Sequence, residues 1–283
     1  MVAVGEHGVV LLSDDGGRHF RQAKSVPVSA TLTDVSFPDA LHGWAVGQWG
    51  VLLATGDGGE TWHQRRIDTT GDQPFLTVYF SDAQHGWAGG IWSLLLRTDD
   101  GGRSWVSVKL PIPPGGTKAD RNLFHIFGDH RGGVYIAAER GDVIRSVDGG
   151  QTWEYKKTGF TGSLWAGTST DDGTLVVGGM LGALYRSTDH GDTWARLAVE
   201  QDGSMVDSSI TDLVSAGNEV RGVGLDGVVL KGDSQSSTFA VTQRPDRASL
   251  TAVESGDSGV VFFSDSGVLR SADPLKVGVA ASR

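Results

Sequence analysis

Five aspartates recur along the chain in one setting. Asp15, Asp57, Asp100, Asp148 and Asp189 each follow a Ser or Thr by two residues, precede a Gly by two and precede a Phe or Trp by five. Regular carboxylates invite an acid–base reading, since a pair of acids flanking a scissile bond can protonate a leaving group and activate water. The spacing points to another use. A short Asp side chain folds back on backbone N–H groups, Gly takes the positive φ that other residues resist, and the aromatic fills an apolar gap. Each aspartate is then consumed by its own turn, and the five cannot converge on one substrate. We read them as structural and expect no catalytic residue and no enzymatic activity.

The other chemistries are as thinly supported. The chain has no Cys, which removes disulfides, thiolate metal sites and cysteine nucleophiles. Its histidines do not cluster; His42 and His85 occupy one repeat position, each before Gly-Trp. There is no His-x-x-x-His, no Gly-x-Ser-x-Gly elbow and no phosphate-cradling Gly loop followed by Lys. No metal site and no cofactor are expected.

The turn motif is an Asp-box, and it dictates the elements around it. Its copies lie about forty to fifty residues apart, the period of a four-stranded propeller blade. Two degraded copies extend the series: one aligns Ser234 with Asp57 and Phe239 with Trp62, and one is Ser271-Ala272-Asp273 before Pro274. Between boxes the sequence reads as four short strands, a to d from the axis outward, as in Leu32 to Phe37, Gly43 to Gly47, Gly50 to Ala54 and Trp62 to Arg66. Strands b and c are apolar on both sides, as expected of sheets sandwiched between neighbours. The fold class expected is all-β, a seven-bladed β-propeller of four-stranded antiparallel blades with Asp-box turns between strands c and d. Residues 1–283 are expected to form a single domain. Its first blade is incomplete, because Val2 to Gly8 aligns with Trp44 to Gly50, in mid-repeat. A strand at Leu275 to Val279 is expected either to finish blade seven or to close the ring.

No apolar run is long enough to cross a bilayer and no export signal is encoded, although an upstream piece could carry one. A net charge of −10 argues against nucleic acid and anionic lipid as partners.

The b-to-c turns ring the channel mouth, and their second positions read His7, Trp49, Trp92, Arg140, Leu181, Asp226 and Ser266. Two tryptophans followed by an arginine suit a protein or carbohydrate contact. The alternative is that both rings fold down as packing. The outer strands are basic, including Arg21, Lys24, Arg65, Arg66, Lys156, Lys157 and Arg244, either to block edge pairing or as a partner patch. Two longer d-to-a connections, 110–121 and 199–209, lie on the face opposite the Asp-boxes.

Phe37-Pro38-Asp39-Ala40-Leu41-His42-Gly43-Trp44-Ala45-Val46-Gly47, Gly50-Val51-Leu52-Leu53 and Asp57-Gly58-Gly59-Glu60-Thr61-Trp62 together resemble the photosystem II stability/assembly factor family of Asp-box, or BNR-repeat, propellers. Phe80 to Gly90 repeats the pattern. The resemblance implies a non-enzymatic assembly factor that binds a protein partner, a membrane protein or its complex, as a monomer without lipid insertion. It implies a periplasmic site, or a lumenal one in a photosynthetic cell. It also implies an arginine-rich surface, for which Arg65 and Arg66 are the nearest adjacent pair, so the expected partner-binding residues are Trp49, Trp92, Arg140, His7, Asp226, Arg65 and Arg66. The competing class is a glycoside hydrolase of sialidase or glucanase type, or a carbohydrate-binding propeller. A pocket lined by opposed carboxylates and arginines would favour it.

Overall fold

The computed structural model describes residues 1–270 apart from 72, 130, 202, 257 and 258. Both Ser271 to Asp273 and the strand expected at Leu275 to Val279 lie outside the described residues. Seven sheets, antiparallel except for one pair in the sixth, follow one another along the chain as blades of a propeller. Blades two to five have four strands each; blade two, for example, runs Leu32–Ser36, Gly43–Gly47, Val51–Thr55 and His63–Arg66. Among the described residues blade one has strands b, c and d, and blade seven has a, b and c.

Burial follows the prediction for sandwiched sheets. Strands Gly43–Gly47, Gly86–Gly90, Val134–Ala138 and Leu175–Gly179 are buried at every residue, so neither face meets water. The apolar clusters accordingly lie between blades. Val10 and Leu12 of blade one pack with Leu32, Ala45, Leu53 and Trp62 of blade two. Trp44, Val46 and Leu52 pack with Phe75, Phe80 and Leu96 of blade three, and the pattern repeats round to blade seven. The ring closes through Phe20 of blade one, whose ring meets Phe263 of blade seven edge-on at 5.8 Å.

Inner strands are stitched by polar side chains, a device the sequence reading missed. The second residue of strand a, Thr33, Leu76 or Thr211, is extra in the ladder, and the side chain of the third reaches the next blade: an Asp34 oxygen accepts from Val78 N at 2.9 Å, Thr77 Oγ1 from Ile126 N at 3.0 Å, and an Asp212 oxygen from Val253 N at 2.9 Å. Thr33 and Thr211 donate to the carbonyls of Phe75 and Leu250.

Two expectations are corrected. The connection 199–209 is a hairpin, Ala198–Gln201 with Ser204–Met205, and its first strand pairs parallel with Thr238–Gln243. Blade six therefore has six strands, and strand d of blade five ends at Arg196. Val199 is the cause: it is fully buried in the cluster of Phe239 and Val241, which a free loop would leave open. In the degraded sixth box, Phe239 takes the place of Trp62 as aligned, fully buried. Ser234 does not replace Asp57. It donates to Asp172 of blade five, while Asp233 Oδ1 accepts from Gln235 N and Ser236 N, both at 2.8 Å.

Candidate functional site

The Asp-boxes carry the hydrogen bonds expected of a reinforced turn. Asp57 Oδ1 accepts from Thr55 Oγ1 at 2.8 Å and Thr61 N at 2.9 Å, and Oδ2 accepts from Thr61 Oγ1 at 2.6 Å. Thr55 Oγ1 accepts from Gly59 N, and the Trp62 indole donates to Gly59 O. Asp15, Asp100, Asp148 and Asp189 repeat the arrangement. Hydroxyl hydrogen bonds from Thr61, Ser104 and Thr152, followed by backbone N–H groups, hold Asp57, Asp100 and Asp148 down at about 2. The box glycine is obligatory on two grounds. Gly102 has φ +74°, and a Cβ there would lie 2.3 Å from Trp44 Nε1. The strand-b tryptophan of one blade thus slides under the box of the next.

Strand alternation puts the b-to-c turns and d-to-a connections on the opposite face. Each b-to-c turn of blades one to six is a tight hairpin closed by an N–H to C=O bond three residues back, as from Val9 to Glu6 and from Leu94 to Ile91. Its second position is left-handed in every case: His7, Trp49, Trp92, Arg140, Leu181 and Asp226 have φ between 54° and 58°. Two successive left-handed residues make a type I′ turn, which matches the twist of the strands and favours Asn, Asp or Gly. Only Asp226 meets that preference. His7, Trp49, Trp92, Arg140 and Leu181 occupy a conformation costing about 1 kcal/mol or more for such residues. Ser266 differs, since blade seven turns through Gly267 at φ +105°.

The tryptophans do not fold down as packing. Trp49 is 48 % and Trp92 is 55 % exposed, and Leu181 stands out further at 61 %. His7, Arg140 and Asp226 are exposed beside them in the ring of turns. Among the described residues the exposed large apolar side chains gather on this face: Val9, Trp49, Trp92, Leu181 and Leu225 in the turns, Ile67, Ile112 and Met205 in the connections. The Asp-box face has Leu41, Val147 and, on an outer strand beside a box, Val106.

The arginine pair is divided. Arg66 turns back to donate to Gly50 O at 2.8 Å, pairs with Asp68 and lies over the Phe75 ring. Arg65 is the extra residue of a bulge and lines a groove among the Asp-boxes. Most other outer-strand cations are paired with acids, Arg21 with Asp14 and Glu60, Lys156 with Asp192, Lys157 with Asp142 and Arg244 with Asp246, so these side chains are not free for a partner.

Carboxylates and arginines come together in a cavity on the Asp-box face. It encloses about 620 Å³ between blades four and five and is lined by Asp129, Asp189, Asp192, Arg131, Arg145, Tyr135 and His190. Its acids are committed. Asp129 accepts from Arg131 N, Gly133 N and the Tyr135 hydroxyl, Asp192 pairs with Arg145 and Lys156, and Asp189 serves its box.

Residues 18–177 match the family model described as photosynthesis system II assembly factor YCF48. The chain belongs to that family. A structure of YCF48 bound to D1 peptide superposes with TM-score 0.62 at 20 % identity, over 98 % of this chain and 89 % of that one. YCF48 from Cyanidioschyzon merolae superposes with TM-score 0.64 at 22 % identity, over 84 % and 81 %. The structure of U3-55K gives 0.70 at 11 %, over 93 % and 84 %. At these identities the likeness speaks for the fold alone. No curated protein sequence matches significantly.

Proposed function

We propose that this protein is a binding propeller without enzymatic activity, which docks a protein partner on the face of its b-to-c turns and assists assembly of a membrane-associated or exported complex. The observation that carries the reading is the cost accepted at that face. Trp49 and Trp92 stand outward from backbone positions that prefer Asn, Asp or Gly, and other exposed apolar side chains collect around them. Aromatic anchors beside Arg140 and His7 suit a peptide segment of another protein better than a solvated surface. Family membership agrees with an assembly role, and a relative in complex with a D1 peptide supplies the class of partner. In this reading residues 1–283 act as one unit, a monomer located outside the cytoplasm, in a periplasm or lumen.

The test uses substitutions that suit the turn. Trp49→Asn with Trp92→Asn should leave the melting temperature unchanged or slightly raised. It should weaken binding of a D1-derived peptide at least tenfold in calorimetric titration, as expected of aromatic anchors. Undiminished binding by the double variant would move the partner elsewhere. Hydrolysis of aryl glycosides by the wild type would favour the glycosidase reading instead.

A further inference from the structure

The grooves between successive blades on the Asp-box face can be compared position by position, and one of them carries cations with no acid. Each groove places two outer-strand side chains, one and three residues after the box aromatic, against the residue three after the Asp of the next box. Between blades one and two these are Arg21, Ala23 and Glu60, of which Arg21 and Glu60 form an ion pair. Between blades four and five they are Glu154, Lys156 and Asp192, with Lys156 and Asp192 paired at 2.6 Å. Between blades three and four they are Val106, Val108 and Gln151, all uncharged. Between blades two and three they are His63, Arg65 and Arg103, with no acid at any of the three positions.

The side chains of Arg65, Arg103 and His63 make no hydrogen bond or ion pair among the described residues, and all three are exposed. The Asp100 carboxylate nearby does not serve them. It is spent on Thr98 and Ser104, as the aspartate of every complete box is spent on its own turn.

The groove also lacks the arginine that crosses three of its counterparts. Arg97, Arg145 and Arg186 precede their boxes and reach across to carbonyls of the next blade at Gly150, His190 and Ser234. The corresponding residue of blade two is Ala54, and a cavity of about 460 Å³ remains above it. Its floor includes Trp44, 5 % exposed, whose indole N–H has no acceptor.

We propose that this groove binds an oxyanion, a carboxylate or phosphate, which takes the place held by Glu60 and Asp192 in the paired grooves. Two unpaired guanidinium groups supply the charge and the forked donors such a group requires. Trp44, Ala54 and Ala83 supply room for the body that bears it. The site lies on the face opposite Trp49 and Trp92, so its failure and that of the docking surface are read on different variants.

Inorganic phosphate and a hexaglutamate peptide are the probes, titrated at low ionic strength into the full-length protein with the Trp44 indole resonance as a local reporter. Wild type should bind one or both saturably and shift that resonance. Arg65→Gln should weaken binding about tenfold, the loss expected for one charged hydrogen bond. Arg103→Glu supplies the missing acid from within and should abolish binding without lowering the melting temperature. Stronger binding of phosphate would assign the site to a small anion, stronger binding of the peptide to an acidic side chain, and either supports it. Absence of saturable binding to wild type, or equal binding by Arg103→Glu, would overturn it.

Discussion

The two faces of the ring use the same residue types to opposite ends. On the Asp-box face the aromatics Trp62 and Trp153 are buried, their indoles donate to Gly59 and Gly150, and turn glycines adopt the positive φ. On the other face Trp49 and Trp92 adopt the positive φ themselves and point into solvent. One set of tryptophans meets the needs of its turn and the other violates them. Local violation without local compensation is the mark of selection for something other than stability.

The most severe break of this comparison is to exchange the fates of the two sets. Trp62→Ala removes a ring at the interface of blades one and two and should cost about 4 kcal/mol in denaturant unfolding. Trp49→Ala should cost less than about 0.5 kcal/mol, the range of surface changes. Comparable losses from the two would mean that Trp49 is packing and that the faces do not differ.

The channel between the faces supplies a sharper contrast, between acids that turns hold ionised and an acid that burial holds neutral. Asp212 faces the axis together with Asp34 and Glu254. Desolvation, added to by the charges of those two, lifts it to about 7 although Leu213 N and Val253 N donate to it. Desolvation likewise raises Asp34 and Glu254 and lowers His125, the basic group that faces Asp34. A carboxyl raised in the folded state favours folding while protonated, so this contribution is complete below the unfolded value near 3.9 and is lost as pH rises through about 7. Asp212→Asn, which keeps one acceptor, should therefore gain about 1–2 kcal/mol relative to wild type at pH 8, discounted for water in the channel, and gain nothing at pH 4. A gain independent of pH would remove Asp212 from this role.

The difference between the faces also explains what the sequence discloses. The Asp-box is legible because its Asp, Gly and Trp satisfy one another within eight residues, so each copy can be recognised without its surroundings. The position of Trp49 in a b-to-c turn is legible from the repeat, but its exposure is not, because an indole at that point could lie flat or stand out according to its neighbours. Arg65 and Arg66 read as a pair until a bulge in register parts them. The stitching by Asp34, Thr77 and Asp212 escaped notice because its acceptors and donors lie in the next blade, more than forty residues away. The hairpin at Ala198–Met205 was hidden for the same reason: its parallel partner is strand d of the following blade.

The smallest expected effect tests whether the box aspartates belong wholly to their turns. Asp57→Ala strands Thr61 N and the Thr55 and Thr61 hydroxyls, all near the surface, where water can replace part of what is lost. A cost of about 1 kcal/mol is expected near neutral pH. Because the folded-state value lies at about 2, below that of the unfolded chain, the stabilisation is present above about pH 4 and is lost as pH falls through 2. Wild type and variant should thus converge in acid, the reverse of the pattern at Asp212. A difference that persists below pH 2 would mean that the side chain acts through packing. An unchanged stability at neutral pH would mean that the Gly and Trp of the box suffice, leaving the carboxylate free for another task.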